Sequence, residues 1–138
     1  MSTQVALSNA VTARKMFEAF KQGDVPYILN QLDDACQWNV MGSPQLPFAG
    51  VFVGKGTGLF FSQMAEEIEF PVFEVENIYE VNETDVLSTG HFVARSRRTG
   101  KTASSPWIMQ MRFRDGKAIF FQDYVDTAQI AAILQPSA

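Results

Sequence analysis

One carboxylate stands where a carboxylate is least at home. Asp115-Gly116 is a two-residue turn, because that pair tolerates the positive φ of a tight hairpin, and Trp107 to Arg114 and Lys117 to Val125 are the strands that it joins. The two-residue period puts Trp107, Met109, Met111 and Phe113 on one face of the first strand. Ile108, Gln110, Arg112 and Arg114 share the other. On the second strand the same alternation gives Ile119, Phe121 and Val125, interrupted by Asp123. A carboxyl group in apolar surroundings has its pKa raised by desolvation toward the range where it exchanges protons near neutrality. The competing reading makes Asp123 a strand-end acid that faces solvent or pairs with Arg112 or Arg114.

Other polar residues offer less. Asn39 falls on a strand with Gln37 and Met41 on its face, where its amide could orient a carbonyl or a water, or simply bond backbone. His91 shares parity with Val93, Arg95 and Arg97, a largely polar set, so an exposed or dimer-facing place suits it better than catalysis. One His and one Cys, far apart, make no zinc site, and no acid cluster suits Mg²⁺ or Ca²⁺; no metal is expected. Gly54, Gly56 and Gly58 follow no long buried strand, and Lys55 is not followed by Ser or Thr, which argues against a phosphate-binding loop.

Composition sets the frame for these residues. The 138 residues are 46% hydrophobic, 12% aromatic with twelve Phe, and only 19% charged, which suits one globular domain, residues 1–138, with a large apolar interior or cavity. The net charge of -4, with the basic residues between Arg95 and Lys117 spread over strands and turns, argues against nucleic acid as a partner. The single Cys36 permits no internal disulfide and reads as a buried small residue in a reducing compartment. No run approaches a bilayer span and the N-terminus lacks the pattern of a secretory signal, so a soluble, cytoplasmic protein without membrane contact is expected.

Elements that position the hairpin can be read in order. Ala10, Ala13, Phe17 and Phe20 recur at helical spacing from about Leu7 to Gln22, Gly23 ends that helix, and Asp24 and Pro26 start a short one over Val25 to Gln31. Ala35 to Met41 is a strand, Gly42 to Gly50 a loop, and Val51 to Val53 a brief extended piece. Thr57 is expected to cap a helix over Gly58 to Glu67, with Glu66, Glu67 and Glu69 in solvent. Strands follow over Phe70–Val81 and Val86–Arg98, then the hairpin, then a helix over Ala128–Leu134 capped by Asp126 or Thr127. Helices early and strands late give an α+β fold with a curved, mostly antiparallel sheet folded over the helices.

With these pieces in place the chain resembles a SnoaL-like member of the NTF2-like, ketosteroid-isomerase-like superfamily. The likeness rests on Phe17-Glu-Ala-Phe-Lys-Gln-Gly-Asp24, Leu32-Asp-Asp-Ala-Cys-Gln-Trp38, Pro47-Phe-Ala-Gly50 with Gly54, and Arg114-Asp-Gly-Lys117 followed by Asp123-Tyr-Val-Asp-Thr127. It implies a cone in which a bent sheet wraps the N-terminal helices around a deep apolar pocket, commonly in a homodimer. The isomerases of this superfamily use an Asp base with a Tyr and a protonated Asp as oxyanion donors. The matching positions here are Asn39, Met16 and Met109, none of which can play those parts, so literal steroid isomerisation is rejected.

SnoaL-like cyclases imply a pocket carboxylate on a later strand instead, for which Asp123 is the match. The resulting expectation is a cofactor-free isomerase, cyclase or hydratase acting on a small apolar carbonyl or polyketide-like compound. Asp123 would be the base and Asn39 its polar partner, with Met16, Trp38, Trp107, Met109, Met111, Phe121 and Tyr124 around the ligand. A non-catalytic ligand-binding or dimeric scaffold protein on the same fold is the alternative. An epoxide hydrolase would need an acid–Arg–acid set, which requires Arg95 or Arg112 to point inward.

Overall fold

A computed structural model describes residues 8–137. The expected helix start at Leu7 and the stretch judged to carry no secretory signal lie outside them. Helix α1 (Asn9–Gln22) begins where the Ser8 side chain accepts the Val11 N–H, and it ends at Gly23, whose φ of 75° lets its N–H reach back to the last carbonyls. Asp24 accepts the Tyr27 N–H to start α2 (Val25–Asn30). Strands β1 (Leu32–Val40) and β2 (Gly50–Val53) follow, then helix α3 (Gly58–Glu67), three long strands β3 (Ile68–Glu80), β4 (Asp85–Ser96) and β5 (Thr102–Arg114), then β6 (Lys117–Tyr124) and α4 (Thr127–Leu134). Asp126 caps α4 through the Gln129 N–H, as expected.

Six strands form one sheet in the order β2-β1-β6-β5-β4-β3, antiparallel throughout except for the β1–β6 pair. Helix α1 packs on β3 and β4, and α4 on β5 and β4. The α+β arrangement expected from the sequence is therefore present, with the sheet left open. Among the described residues no helix is long and apolar enough to cross a membrane.

Four local expectations are corrected. Thr57 makes no side-chain cap; a single 3-10 turn, Gly54–Thr57, leads into α3 and the Thr57 hydroxyl is buried without a partner among the described residues. Glu69 belongs to β3 and not to the helix end, and its carboxylate pairs with Arg95 and Arg97, which lowers its pKa. β5 begins at Thr102, five residues before Trp107, because its first inward residues are the small Ala103 and Ser105, which carry no apolar signal. On β6 a register shift pairs Phe113 with Ala118 but Arg112 with Phe120. One residue is thereby added to β6, so Ala118, Phe121 and Asp123 are buried while Ile119 is only partly so.

The Asp115-Gly116 turn has positive φ at both residues, as the hairpin demands. A second glycine shapes the sheet itself. Gly90 on β4 sits beside a register shift between Val75 and Asn77 of β3, and a Cβ there would lie 2.4 Å from Trp107 Cζ2. The bare backbone is what lets the indole of Trp107 lie across β4.

Candidate functional site

The inner faces of the strands and the helices form a cavity of about 100 Å³. β1 contributes Trp38 and Val40, β5 contributes Met109 and Met111, β6 contributes Phe121 and Asp123, and α1 reaches in with Met16, Phe17 and Phe20. Segment 41–49 turns back over one end, with Leu46 and Phe48 buried in the wall. A space this large exceeds what one water needs and admits a small organic ligand.

Among the described residues Asp123 is the only acid in that wall, and its residue is just 8% exposed. Its Oδ1 accepts the Met41 N–H at 2.9 Å, a contact that ties the root of segment 41–49 to the carboxyl group. Burial pushes the Asp123 pKa up to about 6, against the pull of the Met41 N–H and of its own backbone N–H, which lower it. The arginines that could have paired with it face elsewhere. Arg112 lies on the outer face, bonded to Asp85 at 2.8 Å, and Arg114 comes within 3.9 Å of Asp33. Near neutrality this carboxyl can both take and return a proton.

Of the residues expected around the ligand, Met16, Trp38, Met109, Met111 and Phe121 line the cavity with Asp123. Three expected residues do not. Asn39 lies on the opposite face of β1 from Trp38 and Val40, and its Nδ2 donates to the Phe121 carbonyl at 3.3 Å, so it serves the sheet and not the cavity. Tyr124 has the opposite parity to Asp123 and is 47% exposed. Trp107 is fully buried but outside the cavity wall, drawn across Gly90 and packed on Phe17 and Phe73, each with ring centroids 5.3 Å away.

What the sequence reading missed is Met41 and the closing residues Leu46 and Phe48. Met41 ends the expected strand, where alternation shows no sign of its N–H reaching Asp123, and the Pro- and Gly-rich loop gives no periodicity from which to place Leu46 and Phe48. Trp38 has a second property of interest: its ring stacks on Phe121 at 3.7 Å between centroids, and its buried Nε1 has no hydrogen-bond partner among the described residues. His91 is exposed, with its Nδ1 3.9 Å from Glu76. Cys36 is fully buried, and burial with the nearby charge of Asp33 raises its thiol pKa to about 11, which removes it as a nucleophile. Arg95 is spent in an exposed ion pair and Arg112 in a half-buried one with Asp85, so among the described residues the acid–Arg–acid arrangement of an epoxide hydrolase is absent from the cavity.

A family model of the SnoaL-like domain matches residues 13–120. The chain belongs to the SnoaL-like domain family. Solved structures share the fold of this SnoaL-like domain over nearly all its length. An NTF2-like protein from Burkholderia thailandensis superposes with a TM-score of 0.84 at 21% identity, covering 94% of this chain and 99% of that one. TerC, co-crystallised with polyporic acid, gives 0.79 at 20% identity over 91% and 97%. A candidate polyketide cyclase from Xanthomonas campestris gives 0.73 at 16% identity over 91% and 96%. At such identities the likeness establishes the NTF2-like fold and leaves activity to the site residues. No curated protein sequence matches the chain.

Proposed function

We propose that this SnoaL-like domain binds a small, largely apolar carbonyl or polyketide-like compound and acts on it without a cofactor, as an isomerase, cyclase or hydratase with Asp123 as its acid–base group. The observation that carries the reading is a lone buried carboxyl in an apolar cavity with its pKa pushed up to about 6. As carboxylate it would remove a proton alpha to the substrate carbonyl; as acid it would return that proton to a neighbouring atom. The Met41 N–H fixes one oxygen and so orients the other. With Asn39 turned away and the Trp38 Nε1 sealed within the packing, no side-chain N–H among the described residues is offered to a developing oxyanion, so the proton must be returned by Asp123 itself.

The test is deuterium uptake from D2O at the alpha carbon across a panel of aromatic ketones and polyketide-like compounds. Uptake is expected for a subset with the native protein and is expected to fall by at least about a hundredfold in Asp123→Asn. Equal uptake by the variant would remove Asp123 from the chemistry.

A non-catalytic ligand-binding or scaffold role is the second reading, favoured by the single acid and the scarcity of donors in the wall. Tight ligand binding with no uptake in any compound would establish it. Both readings include a cytoplasmic homodimer formed through the sheet's outer face. There Ile108 (42% exposed) and Tyr124 (47%) are cross-strand neighbours, flanked by the uncharged amides of Asn39, Gln122 and Gln110. Burying them against a second copy would strand no charge. Ile108→Lys is expected to shift the protein from dimer to monomer by analytical ultracentrifugation, and an unshifted dimer would place the interface elsewhere.

A further inference from the structure

The walls around Asp123 suit a ligand class that the carbonyl chemistry does not call for. Among the described residues ten aromatic rings and five methionines line the cavity, and no Lys, Arg or His does. An ionised carboxylate in such a wall has lost most of its water and gained no counter-ion. A neutral ligand leaves that deficit in place, and an anionic one deepens it. A cationic ligand supplies the missing charge, and aromatic faces, negative at their centres, attract it further.

Geometry fixes the kind of cation. Phe121 precedes Asp123 by two residues on the same face, so the two stand about 7 Å apart along the strand. Trp38 stacks on Phe121, and the Trp38–Phe121 and Asn39–Gln122 partnerships put Val40, not another polar residue, beside Asp123 on β1. On β5 the cross-strand partner of Asp123 is Met109. No titratable group therefore faces the carboxyl from either neighbouring strand.

We propose that the cavity is a binding site for small arylalkylammonium compounds, with the ammonium ion-paired to Asp123 and the aryl group held among the rings near Trp38 and Phe121. This goes beyond the carbonyl reading and shares only its carboxylate. An amine seated there would occupy the base and block proton transfer.

The experiment is calorimetric titration of the native protein at about pH 8, where Asp123 is ionised and a primary alkylamine is still protonated, with three probes of one shape: 2-phenylethylamine, 2-phenylethanol and phenylacetate. The amine is expected to bind roughly tenfold more tightly than the alcohol, and phenylacetate least of all. In Asp123→Asn and in Asp123→Ser, amine and alcohol are expected to bind within about twofold of each other. Undetectable amine binding, an alcohol as tight as the amine on the native protein, or an amine preference that survives in both variants would each overturn the proposal. None of these outcomes depends on turnover. A protein that prefers the amine yet exchanges no deuterium keeps this site and loses the proposed chemistry, and the converse result does the reverse.

Discussion

Gly90→Ala is expected to cost about 3 kcal/mol or more of folding stability, among the largest effects any single substitution should have in this chain. A Cβ at that position would lie 2.0 Å from the Glu74 carbonyl oxygen and 2.4 and 2.6 Å from Cζ2 and Cε2 of Trp107. Neither obstacle yields cheaply. The carbonyl belongs to the β3 backbone beside the register shift at Val75 to Asn77, and the indole is fully buried between β4 and the rings of Phe17 and Phe73. Relief requires the sheet to open or Trp107 to move toward the cavity, which would crowd Phe17 and Phe73 in its wall. Denaturant unfolding followed by tryptophan fluorescence measures the loss. Gly56→Ala is the comparison, since a Cβ there meets nothing within 4 Å and should change stability by less than about 0.5 kcal/mol. A Gly90→Ala protein as stable as that control would show that the indole does not depend on the missing side chain.

Gly90 also marks where sequence reading stops. Periodicity placed Trp107 correctly on the inward face of its strand, and the same alternation placed Met109 and Met111 in the cavity wall. It could not tell cavity from core, because both are apolar. That distinction depends on a glycine seventeen residues earlier, which brings a bare backbone beneath the indole. Asp123 and Asn39 show the same boundary from the other side. Counting by twos from Asp123 gives Phe121 correctly but fails at Ile119, where the added residue of the bulge changes the face. Asn39 has the right parity to join Gln37 and Met41, yet that is β1's outer set; only Met41, where the strand ends, bends back to the cavity and to Asp123. Alternation along the hairpin singled out Asp123 before any family likeness did, whereas Leu46 and Phe48, which close the cavity, lie in a loop whose composition carries no period.

Asp123→Asn should remove chemistry and, above about pH 6, remove a burden on the fold. In the native state the carboxyl has its pKa raised from the ordinary 3.8 to about 6, chiefly by burial. Between those values the folded protein holds a proton that the unfolded chain has already released. Stability from this group is thus fully present below about pH 4, declines as the pH rises through 6, and is lost above it. A rise of that size corresponds to roughly 3 kcal/mol. Asp85 and Glu69, whose ion pairs with Arg112 and Arg95 lower their pKa values, act in the opposite sense, losing stability as the pH falls. Their contribution is common to both proteins, so the difference between native and Asp123→Asn unfolding free energies isolates the one carboxyl. That difference is expected to move by about 3 kcal/mol in the variant's favour between pH 4 and pH 7, whatever constant cost the new amide brings through its unpaired N–H groups. Denaturant unfolding at four or five pH values gives the curve. A flat difference would mean that the carboxyl is solvated and not held in the apolar wall, and the case for Asp123 as a proton-transfer group would fall with it. A sloping difference together with lost deuterium uptake would mean that the protein tolerates a destabilising charge at the position where its chemistry needs one.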